Sequence, residues 1–269
     1  IRPGYIYIET VYHYPPTKEE LISALDDFEK MGFDFVELEA VRLPHLEELV
    51  SQMEEWKAAC DDRGLSVSNF VVILPEITSL DESIWQNAIE GFERATCLAR
   101  YLGCETVDLD SFTPRNVDFP SGLPYLEIEP PEFPPKVRIQ NTFCWHKQWK
   151  IFVKHVKECA QVAASQGLRL AIHPRAYEII SNTDDFLRLY DAVGEENLGY
   201  ILDIAHLHAQ KELLPLSIEK AATHISHVHL ADNDGKSLAH LPVGHGTIHW
   251  DPVFSALRKH RFDGQFVID

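Results

Sequence analysis

The sequence predicts a (β/α)8 TIM barrel running as a single domain over residues 1–269, and three observations carry that expectation. The chain has 269 residues, more than an ordinary single core uses, whereas a barrel runs as one domain of about 250 residues. Short apolar runs alternate with stretches of helical periodicity, at a spacing of roughly 30 residues. The runner-up, a doubly wound open sheet, would normally carry a GxGxxG turn after its first strand, and none stands there.

Taken in order, Tyr5-Ile-Tyr-Ile-Glu9 alternates and is expected as the first strand. Thr17-Lys-Glu-Glu20 has the form of a capping box. Leu21, Leu25, Phe28 and Met31 follow at helical spacing, and Gly32 ends that helix. Phe35–Glu39 reads as strand two, about His45 to Arg63 as a helix, and Ser66–Leu74 as strand three. Ile84, Ala88, Phe92, Ala95, Ala99 and Leu102 mark a long helix closed by Gly103, and Glu105–Leu109 is strand four. From about 111 to 146 the periodicity stops and proline is dense, which suits a lid or binding loop. Phe152, Val156, Cys159 and Ala163 resume a helix. Strands are then expected at Arg169–His173, Leu198–Asp203, Ile225–Leu230 and Gly264–Asp269. Helices lie between them at Thr183–Val193, around Leu216–Ala222 and from Asp251 to about His260. An eighth outer helix is missing from the pattern. Either the sequence is a fragment or a neighbouring copy in a homo-oligomer covers that gap.

Composition narrows the function. The net charge of −18 repels phosphate backbones, so nucleic acid is not an expected partner. No run of 18 apolar residues and no signal-peptide pattern is visible, so neither a membrane nor export is expected. Cys60, Cys97, Cys104, Cys144 and Cys159 form no CxxC pair, which fits free thiols in a cytoplasmic setting.

In a barrel of this kind the site stands at the C-terminal ends of the strands. His173 ends strand five, Asp203 ends strand six, His229 lies on strand seven and Asp269 ends strand eight. These four metal-capable groups follow apolar runs and converge. A strand-end Asp commonly caps the next helix, but four such residues together point to a site. His227 shares a face with His229 and is expected to pack or hydrogen-bond one pleat deeper.

Gly199-Tyr-Ile-Leu-Asp-Ile-Ala-His206, His227-Val-His-Leu-Ala-Asp232, Pro242-Val-Gly-His-Gly246 and Asp263-Gly-Gln-Phe-Val-Ile-Asp269 resemble the xylose isomerase-like TIM barrels, the sugar phosphate isomerase/epimerase group. Gly32-Phe-Asp-Phe-Val-Glu-Leu38 is consistent with this earlier in the chain. The group includes ketose epimerases, hydroxypyruvate isomerases, inosose and dehydroshikimate dehydratases, and abasic-site endonucleases. The resemblance implies one divalent metal held by Glu, Asp, His and Glu from strands five to eight. Here those positions read His173, Asp203, His229 and Asp269. The two glutamates that serve epimerases as an acid/base pair are therefore replaced. Two carboxylates and two imidazoles leave a divalent ion about neutral, a stronger Lewis acid than with three carboxylates. The nitrogen ligands favour Mn²⁺ or Zn²⁺.

The resemblance further implies His206 beside the metal, orienting substrate. His206, Glu178 near the rim and Glu37 on strand two are the catalytic candidates, and Glu37 fits a structural salt bridge as well. Arg175, Lys236, His13 and Trp145 are candidate substrate contacts. The expected activity is isomerisation or epimerisation of a sugar or related polyhydroxylated keto compound through a metal-stabilised enediolate. A dehydratase or lyase of a cyclitol or keto acid is the alternative on the same scaffold. An abasic-site endonuclease and a non-catalytic sugar-binding protein remain as further readings, and the charge of −18 opposes the endonuclease.

Overall fold

A computed structural model describes residues 1–118 and 136–269. The centre of the proline-rich segment, 119–135, lies outside the described residues, and with it about half of the expected lid or binding loop. Eight parallel strands form the barrel: β1 Arg2–Pro3, β2 Phe35–Val41, β3 Ser66–Ile73, β4 Thr106–Asp110, β5 Arg169–His173, β6 Leu198–Asp203, β7 Ile225–Leu230 and β8 Gln265–Ile268. Their order is β1-β8-β7-β6-β5-β4-β3-β2. In register, Val267 lies beside His229, Asp203 beside His229, and Asp110 beside His173. That register brings the strand-end residues to one level.

The β1–β2 seam is bridged by side chains. Arg2 Nη2 lies 3.1 Å from Glu37 Oε2, and Tyr5 N donates to Glu37 Oε1 at 2.8 Å. Arg2 Nη1 also donates to Ser68 Oγ and Gln265 Oε1, both at 3.1 Å. Outside the ring, helices pack on the strands through fully buried Trp85, Phe92, Phe152 and Phe186. Each such side chain contributes roughly 1.5–3 kcal/mol of burial. Thr17 and Glu20 make the expected capping box on helix Lys18–Met31, and Gly32 closes it with φ 81°.

Two sequence expectations need correction. Tyr5–Glu9 is not a strand: Ile6–Val11 is a short helix, and Arg2–Pro3 takes the strand position. A short period-two run of Tyr and Ile fits either state, and only Ile8 of that helix is buried. The buried charge of Arg2 finds its acid on β2, a long-range contact that local pattern does not reveal. The helix expected from His45 to Arg63 is two, Arg42–Ser51 and Met53–Asp61, broken at Gln52 with φ −120° and ψ 21°.

Candidate active site

A cavity of about 480 Å³ opens at the C-terminal ends of the strands, and His173, Asp203, His206, His229 and Asp269 line it. Its size is that of a small-molecule site. His173 Nε2 lies 2.9 Å from Asp203 Oδ2, and His229 Nδ1 lies 2.6 Å from Asp269 Oδ2. Asp203 also accepts from His206 N at 2.8 Å, so it caps the short helix Ile204–Ala209 while its second oxygen faces His173. The capping role and the site role belong to the same residue.

Among the described residues, two overlapping groups could hold a metal ion: His173, Asp203 and His206, and Asp203, His229 and Asp269. The donor atoms within each group lie within 4.8 Å of one another. His229 Nε2 and His206 Nδ1 are buried without a hydrogen-bond partner among the described residues. A buried imidazole nitrogen with no partner is costly, and a cation or a substrate donor would satisfy it. The residues present therefore fit a divalent ion. The carboxylate on His229 Nδ1 also gives the carboxylate–histidine arrangement that orients a metal-binding imidazole. Gly4 makes room for it: a Cβ there would lie 1.9 Å from Asp269 Oδ1.

Electrostatics sorts the histidines. Burial lowers the His206 pKa to about 3, with Asp203 only partly opposing, so His206 is neutral at neutral pH. Burial also acts to lower His229, but Asp269 and then Asp203 override it and raise the pKa to about 9. Burial would raise Asp203, yet His206, His173 and His229 hold it well below the usual carboxylate range.

His227 lies below this level, as expected. Its Nε2 is 3.1 Å from Asp108 Oδ2, and Asn69 Nδ2 donates to the same oxygen at 2.5 Å. Asn69 Nδ2 also reaches Glu37 Oε2 at 3.4 Å, which returns the chain of contacts to Arg2. Glu37 thus sits in a buried structural pair, although its side chain also borders the cavity.

The remaining candidates divide. Arg175 lines the cavity and donates from Nη1 to Asp110 Oδ2 at 2.9 Å. Glu178 is buried and does not line the cavity. Its Oε2 accepts from Ser111 N at 2.8 Å, Ser111 Oγ at 2.9 Å and Phe112 N at 2.8 Å, fastening the root of the proline-rich segment. Burial raises its carboxyl to about 8, with Asp110 adding repulsion.

His13, Lys236 and Trp145 stand off the cavity. His13 Nδ1 pairs with Glu20 Oε1 at 2.5 Å on the surface. The next residue along reaches the site instead: Tyr14 Oη donates to Glu39 Oε1 at 2.5 Å. Lys236 is exposed beside the Asp234 turn. Trp145 is 38% exposed and packs by Trp149, under the Arg188 guanidinium.

Asp108, Asp110 and Tyr5 were not singled out by sequence reasoning. The two aspartates had a signal: Val107-Asp-Leu-Asp110 sets polar residues two apart in an apolar strand, the same pattern that marks His227 and His229. Tyr5 had none.

Comparison with known proteins fits this geometry. The family model described as xylose isomerase-like TIM barrel matches residues 25–269. The chain belongs to that family. A probable ketose 3-epimerase from Synechocystis sp. is 24% identical over 90% of this chain and 76% of its own length. An inosose dehydratase from Clostridium botulinum is 28% identical over 46% of this chain, a match spanning 47% of that protein. Among solved structures, the family fold recurs in the 3-keto-D-glucoside 4-epimerase from E. coli, with TM-score 0.70 and 20% identity over 93% of this chain and 86% of that one. D-psicose 3-epimerase from Clostridium cellulolyticum, solved with D-tagatose, gives TM-score 0.71 and 19% identity over 92% and 78%. The expectation of an enzyme of isomerase or epimerase type agrees with these relatives. Among the described residues no helix is long and apolar enough to cross a membrane.

Proposed function

We propose that this protein is a divalent-metal-dependent isomerase or epimerase of a polyhydroxylated keto compound. The observation that carries the reading is the convergence of His173, Asp203, His229 and Asp269 on one cavity, with His229 Nε2 and His206 Nδ1 left unpartnered. His173, Asp203, His229 and Asp269 would hold a divalent ion, which would supply Lewis acidity towards a substrate carbonyl. The two-nitrogen, two-oxygen donor set suits Mn²⁺ or Zn²⁺.

His206 is the base. It lines the cavity with a free Nδ1 placed to take a proton from the carbon next to the carbonyl, and burial, which lowers its proton affinity, makes it a weak base on its own. Glu178 is set aside, because three donors hold it away from the cavity. Inversion needs a proton donor on the other face of the substrate. In the ring order β2 stands four strands from β6, so Glu39 faces the Asp203 side across the barrel. Burial, with Glu9 beside it, holds the Glu39 carboxyl well above the usual carboxylate range, so it carries a proton to give.

That same carboxyl supports a second reading. A protonated acid opposite the base can release a hydroxyl as water, which is dehydration of a keto polyol. The small-molecule partner is a sugar or polyol in either case. Phe112, Thr113 and Pro114, at the root of the proline-rich segment, line the cavity and support the binding-loop reading of that segment.

The test is hydrogen–deuterium exchange at the carbon next to the carbonyl, read by NMR on metal-loaded protein across ketoses and keto cyclitols. Exchange is expected, and His206→Asn should abolish it while metal content stays stoichiometric. Stoichiometric metal with no exchange on any member of the panel sinks the proposal.

A further inference from the structure

We propose that the cavity selects a substrate whose far end is uncharged and hydroxylated, and that it rejects the terminal phosphate of the same carbon skeleton. The inference takes from the preceding reading only that this cavity is the substrate site.

The wall beside the tetrad, on the β1, β2 and β4 side, is built of acids and phenols, with Asp110 Oδ1 3.5 Å from His173 Nδ1. Glu9, Glu39 and Asp110 line it with Tyr5 and Tyr14. Tyr14 Oη already donates to Glu39, and Arg175 is held by Asp110. Tyr5 is 4% exposed, lines the cavity, and its hydroxyl has no partner among the described residues. An unsatisfied buried hydroxyl beside carboxyl acceptors asks for a ligand that both donates and accepts. A sugar or polyol hydroxyl does both. A phosphate dianion only accepts, so it would leave the acceptor oxygens of Glu9, Glu39 and Asp110 without a donor from the ligand.

A second, independent observation concerns the loop after β7. Barrels of this class commonly bind phosphate on backbone amides of the loops after the last two strands. In the loop after β7 those amides serve an internal anion. Asp232 Oδ1 accepts from Asn233 N at 2.9 Å and Ile248 N at 3.2 Å. Its Oδ2 accepts from Gly244 N at 3.0 Å and Trp250 Nε1 at 2.9 Å. A Cβ at Gly246 would lie 2.1 Å from Asp232 Oδ1, so the glycine is what lets the loop close on the carboxylate. A substrate phosphate would have to displace a buried aspartate to use this cradle. The opposing feature is Arg42, which lines the cavity from an exposed position. Arg115 also lines it but is paired with Glu76 at 3.1 Å.

The experiment compares matched pairs on the metal-loaded protein by calorimetry: D-fructose with D-fructose 6-phosphate, and L-ribulose with L-ribulose 5-phosphate. The free sugar of each pair should bind at least about 30-fold more tightly, in line with the cost of acceptor groups left without a donor. Glu9→Gln with Glu39→Gln, which sets amide donors where acceptor oxygens stand, should narrow that ratio at least 5-fold. Glu9→Gln alone, at a more exposed position, answers the same question where the double variant does not fold. A sugar phosphate that binds as tightly as its free partner overturns the inference, most directly if Arg42→Ala then removes that binding. Binding of neither form overturns it too. Proton exchange is read on the same samples. Preferential binding of free sugars without exchange refutes the proposed reaction and leaves the selectivity standing.

Discussion

His227 and His229 lie two residues apart on β7, both buried, with ring centroids 5.2 Å apart. Burial acts on both in the same direction, yet their affinities for a proton diverge. His227 is lowered to about 4 and His229 raised to about 9. The difference is in the neighbours. His229 faces Asp269, Asp203 and Glu37, all of which favour its charged form. His227 faces Asp108, but the Arg2 guanidinium opposes that carboxylate. One strand thus carries a structural imidazole and a site imidazole, separated by the sign of the local field rather than by depth.

The strongest way to break this contrast is at the site. Asp203→Ala removes the residue shared by both metal-capable groups, so metal affinity should fall by more than about 100-fold, beyond the usual cost of losing an outer partner. Stoichiometric metal in that variant, measured by elemental analysis, would refute the tetrad. His227→Gln should keep full metal occupancy and instead lower stability by about 1–3 kcal/mol through the loss of one of the two partners of Asp108 Oδ2, read by denaturant unfolding.

Next in size, Gly4→Ala places a Cβ against Asp269 Oδ1. It should weaken metal binding by about 10-fold by disturbing the partner of His229, with little change in unfolding midpoint. An unchanged metal affinity would remove Asp269 from the site.

Proton titration sharpens the contrast directly. In metal-free protein the ring signals of His229 and His227 should titrate near 9 and near 4. The stability consequences have opposite sign against an unfolded value of about 6.5. For His229 the gain is fully present below 6.5 and is lost as pH rises through 9. For His227 stability falls as pH drops from 6.5 towards 4, because the unfolded chain takes the proton first. Ligation at His229 requires the neutral ring, so metal uptake should release protons and tighten as pH rises towards 9. Coincident titration of the two rings would contradict this account. The smallest effects belong to His13→Ala and Trp145→Ala, which should leave metal affinity and proton exchange unchanged.

The last four strands were legible because each carries a metal-capable residue in or just after a largely apolar run. His173, Asp203, His229 and Asp269 were recognisable from that interruption alone, and the structure brings all four to one cavity. What failed was local in origin. Tyr5–Glu9 alternates like a strand, but the strand position falls to Arg2–Pro3, whose burial depends on an acid 35 residues away from Arg2. His13 and Tyr14 are neighbours in sequence, and which of them turns inward depends on Glu39 on the adjoining β2. Trp145 looked like a ring-stacking residue because its segment lacks periodicity, yet it opens the helix Trp145–Ser165 on the outer layer. Composition and spacing carry no information about such cross-chain partners.

The Arg2 bridge has a bearing on how the chain comes to be folded. Its guanidinium contacts residues of β2, β3 and β8, and Gln265 lies 263 positions along from it. During synthesis the first two partners emerge early and the third very late. Until β8 arrives, β1 has no neighbouring strand to pair with, and the interior polar chain beneath the site stays open to water. Ribosome-bound intermediates should therefore present an unsealed β1 edge, with Arg2 still reachable by solvent, until translation passes the eighth strand.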